Sequence, residues 1–203
     1  MTISDQGSLP EDDKCLITRR ALLSTGVKVA LGAAIVPSVA SPVAASVFGS
    51  NKEITRGSRR ISFRNVHTGE MFSGVYRVGD KYLPDAFEQI NVVLRDFRSD
   101  DVFPIDPRVI DIIYTVHEMT DQKQPYEVLS AYRCPKTNSM LRRASSGVAK
   151  TSLHMTGQAI DLRLPGVAST NIRDIAKSLK AGGVGYYRKS NFVHIDSGGV
   201  RSW

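Results

Sequence analysis

Two short segments near the end of the chain alternate between apolar and polar residues, and they constrain the fold more than any other feature of the sequence. In residues 158–164 and 192–196 alternate side chains are aliphatic, which is the period of a β-strand with one face in a hydrophobic core. The opposite faces carry Asp161 in the first segment and His194 in the second. If the two strands are neighbours, these side chains converge with His154, which shortly precedes the first strand.

The remaining elements predict one domain of mixed structure. Alternating segments on both sides of residues 67–70 predict a hairpin, and residues 126–131 predict a further strand. Apolar residues at helical spacing predict helices that begin near Pro84, Pro107 (with Asp106 as N-cap) and Ile172, the last one ending at Gly182-Gly183, and a short helix is expected from Pro135 onward. The chain has no internal repeat and no dividing linker, so the pattern favours a single α+β domain.

The first 45 residues have the order of an export signal, with a polar acidic start, a pair of arginines at 19–20 and then an apolar run. The run at 21–36 is shorter than the roughly 20 residues that span a bilayer, which favours a cleaved signal over an anchor. The arginine pair resembles a twin-arginine signal, which directs export of folded proteins. We expect cleavage after Ala45 or Ala40 and a mature domain of residues 46–203 in the periplasm, without a stable membrane span.

The charge of the chain indicates an anionic partner. Lys and Arg number 27 against 20 Asp and Glu, which gives a net charge of +7. Residues 1–45 contain as many basic as acidic residues, so the excess belongs to the exported domain. An anionic cell-wall polymer is the expected partner of such a domain, and nucleic acid is not.

Cysteine cannot provide a metal site in this chain. Of the two cysteines, Cys15 would leave with the signal and Cys134 would remain alone, which excludes a disulfide and a multi-cysteine zinc cluster. A metal site must therefore use carboxylates and some of the four histidines. His117 is expected to be a half-buried packing residue of a helix, and His67 a structural residue of the hairpin turn.

The three side chains expected to converge suit a metal ion. His154 and His194 offer imidazole nitrogens and Asp161 a carboxylate, and three such ligands leave a fourth tetrahedral position open, as in catalytic zinc sites. Zinc there lowers the pKa of water and polarises a carbonyl, so hydrolysis is the expected reaction. Spacing alone leaves open that both histidines are packed or solvated and that Asp161 is an edge-strand charge.

Residues 152–161 form a longer motif, Ser-x-His-x-x-Gly-x-Ala-x-Asp, followed by a histidine on a later strand. The motif resembles the signature of the zinc D-Ala-D-Ala metallopeptidase superfamily, which includes lysostaphin, D-Ala-D-Ala peptidases and hedgehog-fold proteins. The resemblance implies a small antiparallel sheet flanked by helices that carries the metal site. It also implies that Zn²⁺ is bound by His154, Asp161 and His194.

Further segments extend the resemblance to the murein endopeptidases of this superfamily over nearly the whole chain. They are Asn-Val-His-Thr-Gly-Glu at 65–70, Ser-Ala-Tyr-Arg at 130–133, Ala-Gly-Gly-Val-Gly-Tyr-Tyr at 181–187 and Ser-Asn-Phe-Val-His-Ile-Asp at 190–196. The resemblance implies a zinc peptidase that cuts crosslinks between peptidoglycan stem peptides. Crosslinks between two diaminopimelate residues (3-3) are favoured, with D-Ala-diaminopimelate crosslinks (4-3) as a second substrate.

The resemblance also suggests catalytic roles. An arginine ahead of the first ligand can stabilise the oxyanion in this superfamily, and Arg133 matches it. Many relatives carry an acid as general base three residues before the last histidine, where this chain has Asn191, which cannot accept a proton at neutral pH. Asp196 is the candidate base, with orientation of His194 as its alternative role. Three further residues are expected to shape the pocket, namely Ser152, Gln158 and Tyr132.

The sequence leaves two alternatives to the endopeptidase open. A carboxypeptidase that trims a terminal D-amino acid would need a closed pocket with a cation for the substrate carboxylate. A non-catalytic zinc-binding envelope module is favoured by Asn191, because the usual base is missing.

Overall fold

The structure is a computed structural model that describes residues 57–145 and 147–203. The expected signal at residues 1–45, its arginine pair, its cleavage points and Cys15 lie outside the described residues. Within the described part of the chain, no helix has both the length and the apolar character needed to cross a membrane.

In the described residues, eight strands form one mixed sheet with the order β3-β2-β1-β4-β5-β7-β6-β8. The strands are β1 (Ser58–Asn65), β2 (Met71–Val78), β3 (Lys81–Tyr82), β4 (Tyr126–Ser130), β5 (Ala159–Arg163), β6 (Gly183–Tyr187), β7 (Phe192–Asp196) and β8 (Arg201–Ser202). The predicted hairpin is β1 and β2. The pairs β1/β4 and β6/β8 are parallel, and the other neighbouring strands are antiparallel.

The α+β class is confirmed. The four central strands, β4, β5, β7 and β6, form the antiparallel sheet that the resemblance implied. The whole sheet is larger and mixed, because the hairpin extends it on one side and the short β8 on the other.

Four helices of the described chain accompany the sheet: α1 (Pro84–Val93), α2 (Pro107–Glu118), α3 (Pro135–Ala144) and α4 (Ser169–Leu179). The first three begin with proline, whose fixed φ suits the first helical position. Asp106 caps α2 as expected, since its side chain accepts a hydrogen bond from the backbone amide of Arg108 at 2.9 Å.

The expected end of α4 at Gly182-Gly183 is wrong. The helix ends earlier, with Lys180 as C-cap in the left-handed conformation (φ 49°). Gly183 instead begins β6, opposite the end of β7, where a Cβ atom would lie 2.4 Å from a carboxylate oxygen of Asp196. The glycine therefore makes room for that carboxylate and does not stop the helix.

The core lies against one face of the central strands. Ile160, Leu162, Val193 and Ile195 alternate along β5 and β7 and are fully buried. Helices α2 and α4 pack on β7, and α4 also packs on β6. The predicted alternation is thus confirmed on its apolar side, and the opposite side of β5 and β7 is left for polar residues.

Candidate metal centre

The side chains of His154, Asp161 and His194 meet on the polar side of the central strands, and all three are buried. His154 Nε2 lies 3.2 Å from His194 Nδ1 and 3.3 Å from Asp161 Oδ1. Asp161 Oδ1 lies 2.9 Å from His194 Nδ1. Among the described residues, this trio is the one group of His, Cys, Asp and Glu side chains that could share a metal ion.

The strand register and a tight turn position the three side chains. Asp161 on β5 is directly opposite His194 on β7. His154 lies in a 3₁₀ turn, Leu153–Thr156, which leads into β5 through Gly157 in the left-handed conformation (φ 66°). A Cβ atom at Gly157 would lie 2.2 Å from a backbone oxygen, so only glycine fits there. Gly157 therefore permits the sharp turn that carries the chain from His154 into β5.

Each histidine is oriented by the ring nitrogen that faces away from the trio. His154 Nδ1 lies 2.6 Å from the carbonyl oxygen of Ala131, and His194 Nε2 lies 3.0 Å from Asp196 Oδ2. Because both of these partners are acceptors, the outward nitrogens act as donors. Metal-binding histidines are commonly held in this way by a carbonyl or a carboxylate.

Charge interactions within the trio shift the pKa values. Burial would raise the pKa of Asp161, but the adjacent His154 and His194 outweigh it and hold that pKa well below its usual range. Burial lowers the pKa of His154. Burial also opposes protonation of His194, yet its hydrogen bonds with Asp161 and Asp196 raise its pKa above the usual value. The trio therefore combines an ionised carboxylate with a position that attracts a cation.

The donor set fits zinc. When both rings are neutral and carry their proton on the outward nitrogen, the inward nitrogens, His154 Nε2 and His194 Nδ1, each have a lone pair. These lone pairs face an anionic oxygen of Asp161 at close range. Such an arrangement is stabilised by a cation bound between the three atoms. The separations of 2.9–3.3 Å are near the edge of about 3.3 Å of a tetrahedron with zinc bonds of about 2.0–2.1 Å. Two imidazoles and one carboxylate match known catalytic sites in number and type.

Arg133 lies beside this site, as expected. Its Nη2 donates to Asp161 Oδ2, and its Nε donates to Ser130 Oγ at 2.7 Å. The guanidinium is mostly buried, with 13% of the side chain exposed, and it lines the cleft described below. The structure thus places a fixed positive charge next to the carboxylate of the trio.

Asp196 is fully buried and its carboxylate is occupied on both oxygens. Oδ1 accepts from the backbone amides of Gly183 and Gly198, at 3.0 and 2.9 Å. Oδ2 accepts from His194 and, at 2.6 Å, from Arg201 Nη2. Burial would raise the pKa of Asp196, but these hydrogen bonds outweigh it and hold the pKa well below its usual range. The contacts are those of an anchored, ionised carboxylate.

Asn191, at the position where many relatives carry an acid, is directed elsewhere. It is exposed, adopts the left-handed conformation (φ 50°), and its Oδ1 accepts from Ser169 Oγ at 2.7 Å. Asn191 is not among the residues that line the cleft. Its contacts make it a residue of the turn between β6 and β7.

The trio lies in an open cleft of about 500 Å³. Ser152 lines this cleft as expected, whereas Gln158 and Tyr132 do not, and Tyr132 is buried and stacks on Phe103 instead. The lining residues that could not be expected from the sequence include one cluster of large side chains, namely Tyr187, Phe192, Arg201 and Trp203. Gly183 and Gly185 leave space for Arg201 and Trp203 respectively, but alternate glycines on a strand indicate only that large neighbours approach and not which residues these are.

The other two histidines have structural contacts, as predicted. His67 in the hairpin turn stacks on Phe97 with 3.9 Å between ring centres, and its Nε2 lies 3.1 Å from the carbonyl oxygen of Leu129. His117 on α2 is half-buried and its Nε2 lies 2.9 Å from the carbonyl oxygen of Gln124. Neither histidine lines the cleft.

Comparison with known proteins matches the chain to one family of peptidases. A family model described as peptidoglycan L,D-endopeptidase MepK matches residues 53–203. The chain is 41% identical over 191 residues to the peptidoglycan L,D-endopeptidase MepK of Escherichia coli K12, covering 94% of this chain and 100% of the relative. It is 38% identical over 187 residues to a probable peptidoglycan L,D-endopeptidase MepK of Haemophilus influenzae, covering 91% of this chain and 95% of the relative.

Proposed function

The chain belongs to the peptidoglycan L,D-endopeptidase MepK family and is a peptidase, and we propose that it is a zinc-dependent enzyme that hydrolyses crosslinks between peptidoglycan stem peptides. The preferred crosslink is the 3-3 bond between two diaminopimelate residues, with the 4-3 bond from D-Ala to diaminopimelate as a second substrate. The observation that carries the proposal is the convergence of His154 Nε2, Asp161 Oδ1 and His194 Nδ1 in an open cleft.

In this proposal His154, Asp161 and His194 hold the zinc ion through those three atoms. When bound, zinc lowers the pKa of water and polarises the amide carbonyl. The protein keeps both imidazoles in the binding orientation, since the carbonyl of Ala131 and the carboxylate of Asp196 hold their outward N–H groups.

Arg133 is assigned to the developing negative charge of the amide oxygen. Its guanidinium is fixed by Ser130 and Asp161 before substrate arrives, so stabilising the oxyanion requires no reorganisation. Ser130 is the residue of β4 that pairs with Asp161 on β5, which ties the position of Arg133 to the sheet that also carries the ligands.

Of the two roles considered for Asp196, the contacts support orientation of His194. A general base needs a free oxygen directed at the substrate, whereas both oxygens of Asp196 already accept hydrogen bonds, from His194, from Arg201 and from two backbone amides. Asp161 is the only carboxylate among the described residues that line the cleft.

The open cleft favours an endopeptidase over a carboxypeptidase. A carboxypeptidase needs a cation free to bind the terminal carboxylate of its substrate. The arginines that line the cleft, Arg133 and Arg201, are paired with Asp161 and Asp196 respectively. Because both arginines are already paired, the cleft is better suited to a substrate whose chain continues past the scissile amide than to one that ends in a carboxylate.

The proposal extends to the location of the enzyme. Residues 1–45 serve as a twin-arginine signal, and residues 46–203 act in the periplasm on the stem peptides. The net charge of +7 supports binding to this carboxylate-rich polymer, through an attraction that weakens as salt is raised.

The direct test uses defined crosslinked muropeptide dimers and the purified protein, with product masses measured by mass spectrometry. Release of monomers from 3-3 dimers, lost with chelator and restored by zinc, is the expected result. His154→Ala should be inactive, while His117→Ala, which changes a histidine away from the cleft, should retain activity. No monomer release from either dimer at any zinc concentration would support a non-catalytic zinc-binding module instead, and release of a terminal D-amino acid alone would support a carboxypeptidase.

A further inference from the structure

Trp203 combines high exposure with firm anchoring. Among the large apolar side chains that are exposed in residues 57–145 and 147–203, it is the only aromatic one, at 53% exposed. Its backbone amide donates to the carbonyl of Val184, and its carbonyl accepts from the amide of Tyr186, at 3.2 and 3.0 Å. The indole Nε1 donates to the hydroxyl of Tyr187 at 3.1 Å. About half of the surface of this residue is thus exposed, while its backbone and its indole N–H are held by hydrogen bonds.

The indole lies next to the metal centre because of Gly185. This glycine of β6 is directly opposite His194 on β7, and a Cβ atom at this position would lie 2.6 Å from the indole ring of Trp203. The space left by the missing side chain lets the indole approach His194, with 5.3 Å between ring centres. An exposed aromatic surface is therefore adjacent to one of the three proposed ligands.

Trp203 is part of an aromatic wall of the cleft, formed by Tyr187, Phe192 and Trp203. Tyr187 and Phe192 are paired across β6 and β7 and stack with 4.5 Å between ring centres. The guanidinium of Arg201 lies 5.1 Å from the centre of the Trp203 ring and is itself held by Asp196. Because Arg201 is engaged in this ion pair, the wall presents mainly apolar surface to a ligand.

We propose that Trp203 is a substrate-binding residue whose indole packs against the aliphatic side chain of the stem-peptide residue at the scissile amide. The inference rests on the proposed function, because the residues joined in these crosslinks offer apolar groups next to the amide, namely the methylene chain of diaminopimelate and the methyl group of D-alanine. A rigid aromatic surface binds methylene groups by removing apolar area from water, with little loss of conformational entropy.

The fluorescence of the protein tests this contact directly, because Trp203 is the single tryptophan of the chain. The zinc-loaded full-length protein is mixed with crosslinked dimer in a stopped-flow instrument while tryptophan emission is recorded. We expect a change in emission that precedes product formation and saturates near the KM. Cleavage of the dimer without any change in emission would overturn the inference.

Variants separate binding from a structural role. Trp203→Ala should raise KM about tenfold, with kcat changed by less than about threefold and with zinc content retained. Gly185→Ala should also raise KM, because its Cβ displaces the indole. Trp203→Phe should restore part of the affinity. The control is Val200→Ala, which truncates an apolar side chain that is 64% exposed, is close to Trp203 in the sequence and does not line the cleft.

The outcomes distinguish this inference from the proposed function. If the wild-type protein cleaves no dimer, the proposed function fails. If it cleaves dimers while Trp203→Ala and Gly185→Ala keep the wild-type KM, only the role of Trp203 fails. A loss of zinc or of kcat in Trp203→Ala, with KM unchanged, would show that the indole supports His194 and does not bind substrate.

Discussion

Asp161 and His194 are paired directly across the antiparallel strands β5 and β7, with 2.9 Å between Asp161 Oδ1 and His194 Nδ1. The two proposed ligands are therefore held by the backbone hydrogen bonds of adjacent sheet strands. His154 is the one member of the trio that comes from a turn, and its ring is fixed by the carbonyl of Ala131. A site on strands holds its geometry before the metal binds, which favours a defined coordination.

Removal of any of the three proposed ligands should abolish zinc retention and activity. His154→Ala, Asp161→Ala and His194→Ala each remove one of the three proposed metal ligands. We expect activity to fall by more than about a hundredfold, which is a larger loss than a residue that only orients a ligand would cause. Elemental analysis of the purified variants measures the metal directly. Full zinc occupancy in one of the variants would remove that residue from the ligand set, and His117→Ala serves as the control.

Replacing Asp196 by asparagine tests its orienting role. Asp196→Asn keeps the shape of the side chain but removes the charge that pairs with His194 and Arg201. We expect zinc affinity to fall about 10- to 100-fold, with activity restored by added zinc. Competition with a chelator measures the affinity. A large loss of turnover at unchanged zinc affinity would instead identify Asp196 as the general base.

The convergence of His154, Asp161 and His194 could be predicted from the sequence because it depends on alternation along two strands and on a local turn. Alternation along β5 and β7 places Asp161 and His194 on the faces opposite the aliphatic residues, and the antiparallel pairing of neighbouring strands brings them together. The turn at Gly157 is equally local, since its positive φ requires glycine. These features depend on residues only a few positions apart or on a single strand pairing.

The aromatic wall could not be predicted because it depends on contacts between distant elements. Trp203 reaches His194 only because β8 pairs with β6 and because Gly185 leaves space between them. β8 has only two residues, which are too few to show the alternation from which a strand is predicted. The hydrogen bonds that occupy both oxygens of Asp196 could not be predicted either, because its partners Gly183 and Arg201 are brought to it by the ends of three strands.

Loss of Arg133 should reduce turnover while zinc is retained. Arg133→Met removes the guanidinium proposed to stabilise the oxyanion, and we expect kcat to fall about 100-fold with little change in KM. Steady-state kinetics on a crosslinked dimer, together with metal analysis, measures both effects. Arg163→Met is the matched control, because Arg163 is on the same strand as Asp161 but pairs with Glu127. Loss of zinc in Arg133→Met would show that the arginine acts by holding Asp161.

The arginine pair at 19–20 should be required for export. Substitution of both arginines by lysine preserves the charge but removes the feature that resembles a twin-arginine signal. We expect the variant to remain in the cytoplasm at full length, whereas the wild-type chain is recovered from the periplasm without residues 1–40 or 1–45. Cell fractionation and intact mass distinguish these forms. Lys28→Gln, which changes a nearby charge outside the pair, should be exported, and unimpaired export of the double variant would exclude this pathway.

Asp111 on α2 should contribute to stability in a pH-dependent way. It accepts hydrogen bonds from Tyr76, Tyr82, Arg59 and Arg77 at 2.8, 2.6, 3.0 and 2.5 Å. Burial would raise its pKa, but these partners outweigh it and lower the pKa below the usual value.

This stabilisation is fully present above the unfolded-state pKa of about 3.9 and is lost as the pH falls through the lower folded-state pKa. Asp111→Asn should therefore reduce the free energy of unfolding by about 1–3 kcal/mol at pH 7, and the difference from wild type should shrink below about pH 4. Urea denaturation at pH 7 and pH 3 measures both values. Asp174→Asn is the control, because Asp174 is 62% exposed in its pair with Arg173 and should change stability by less than about 0.5 kcal/mol. An equal loss at both pH values would show that Asp111 acts through its shape and not its charge.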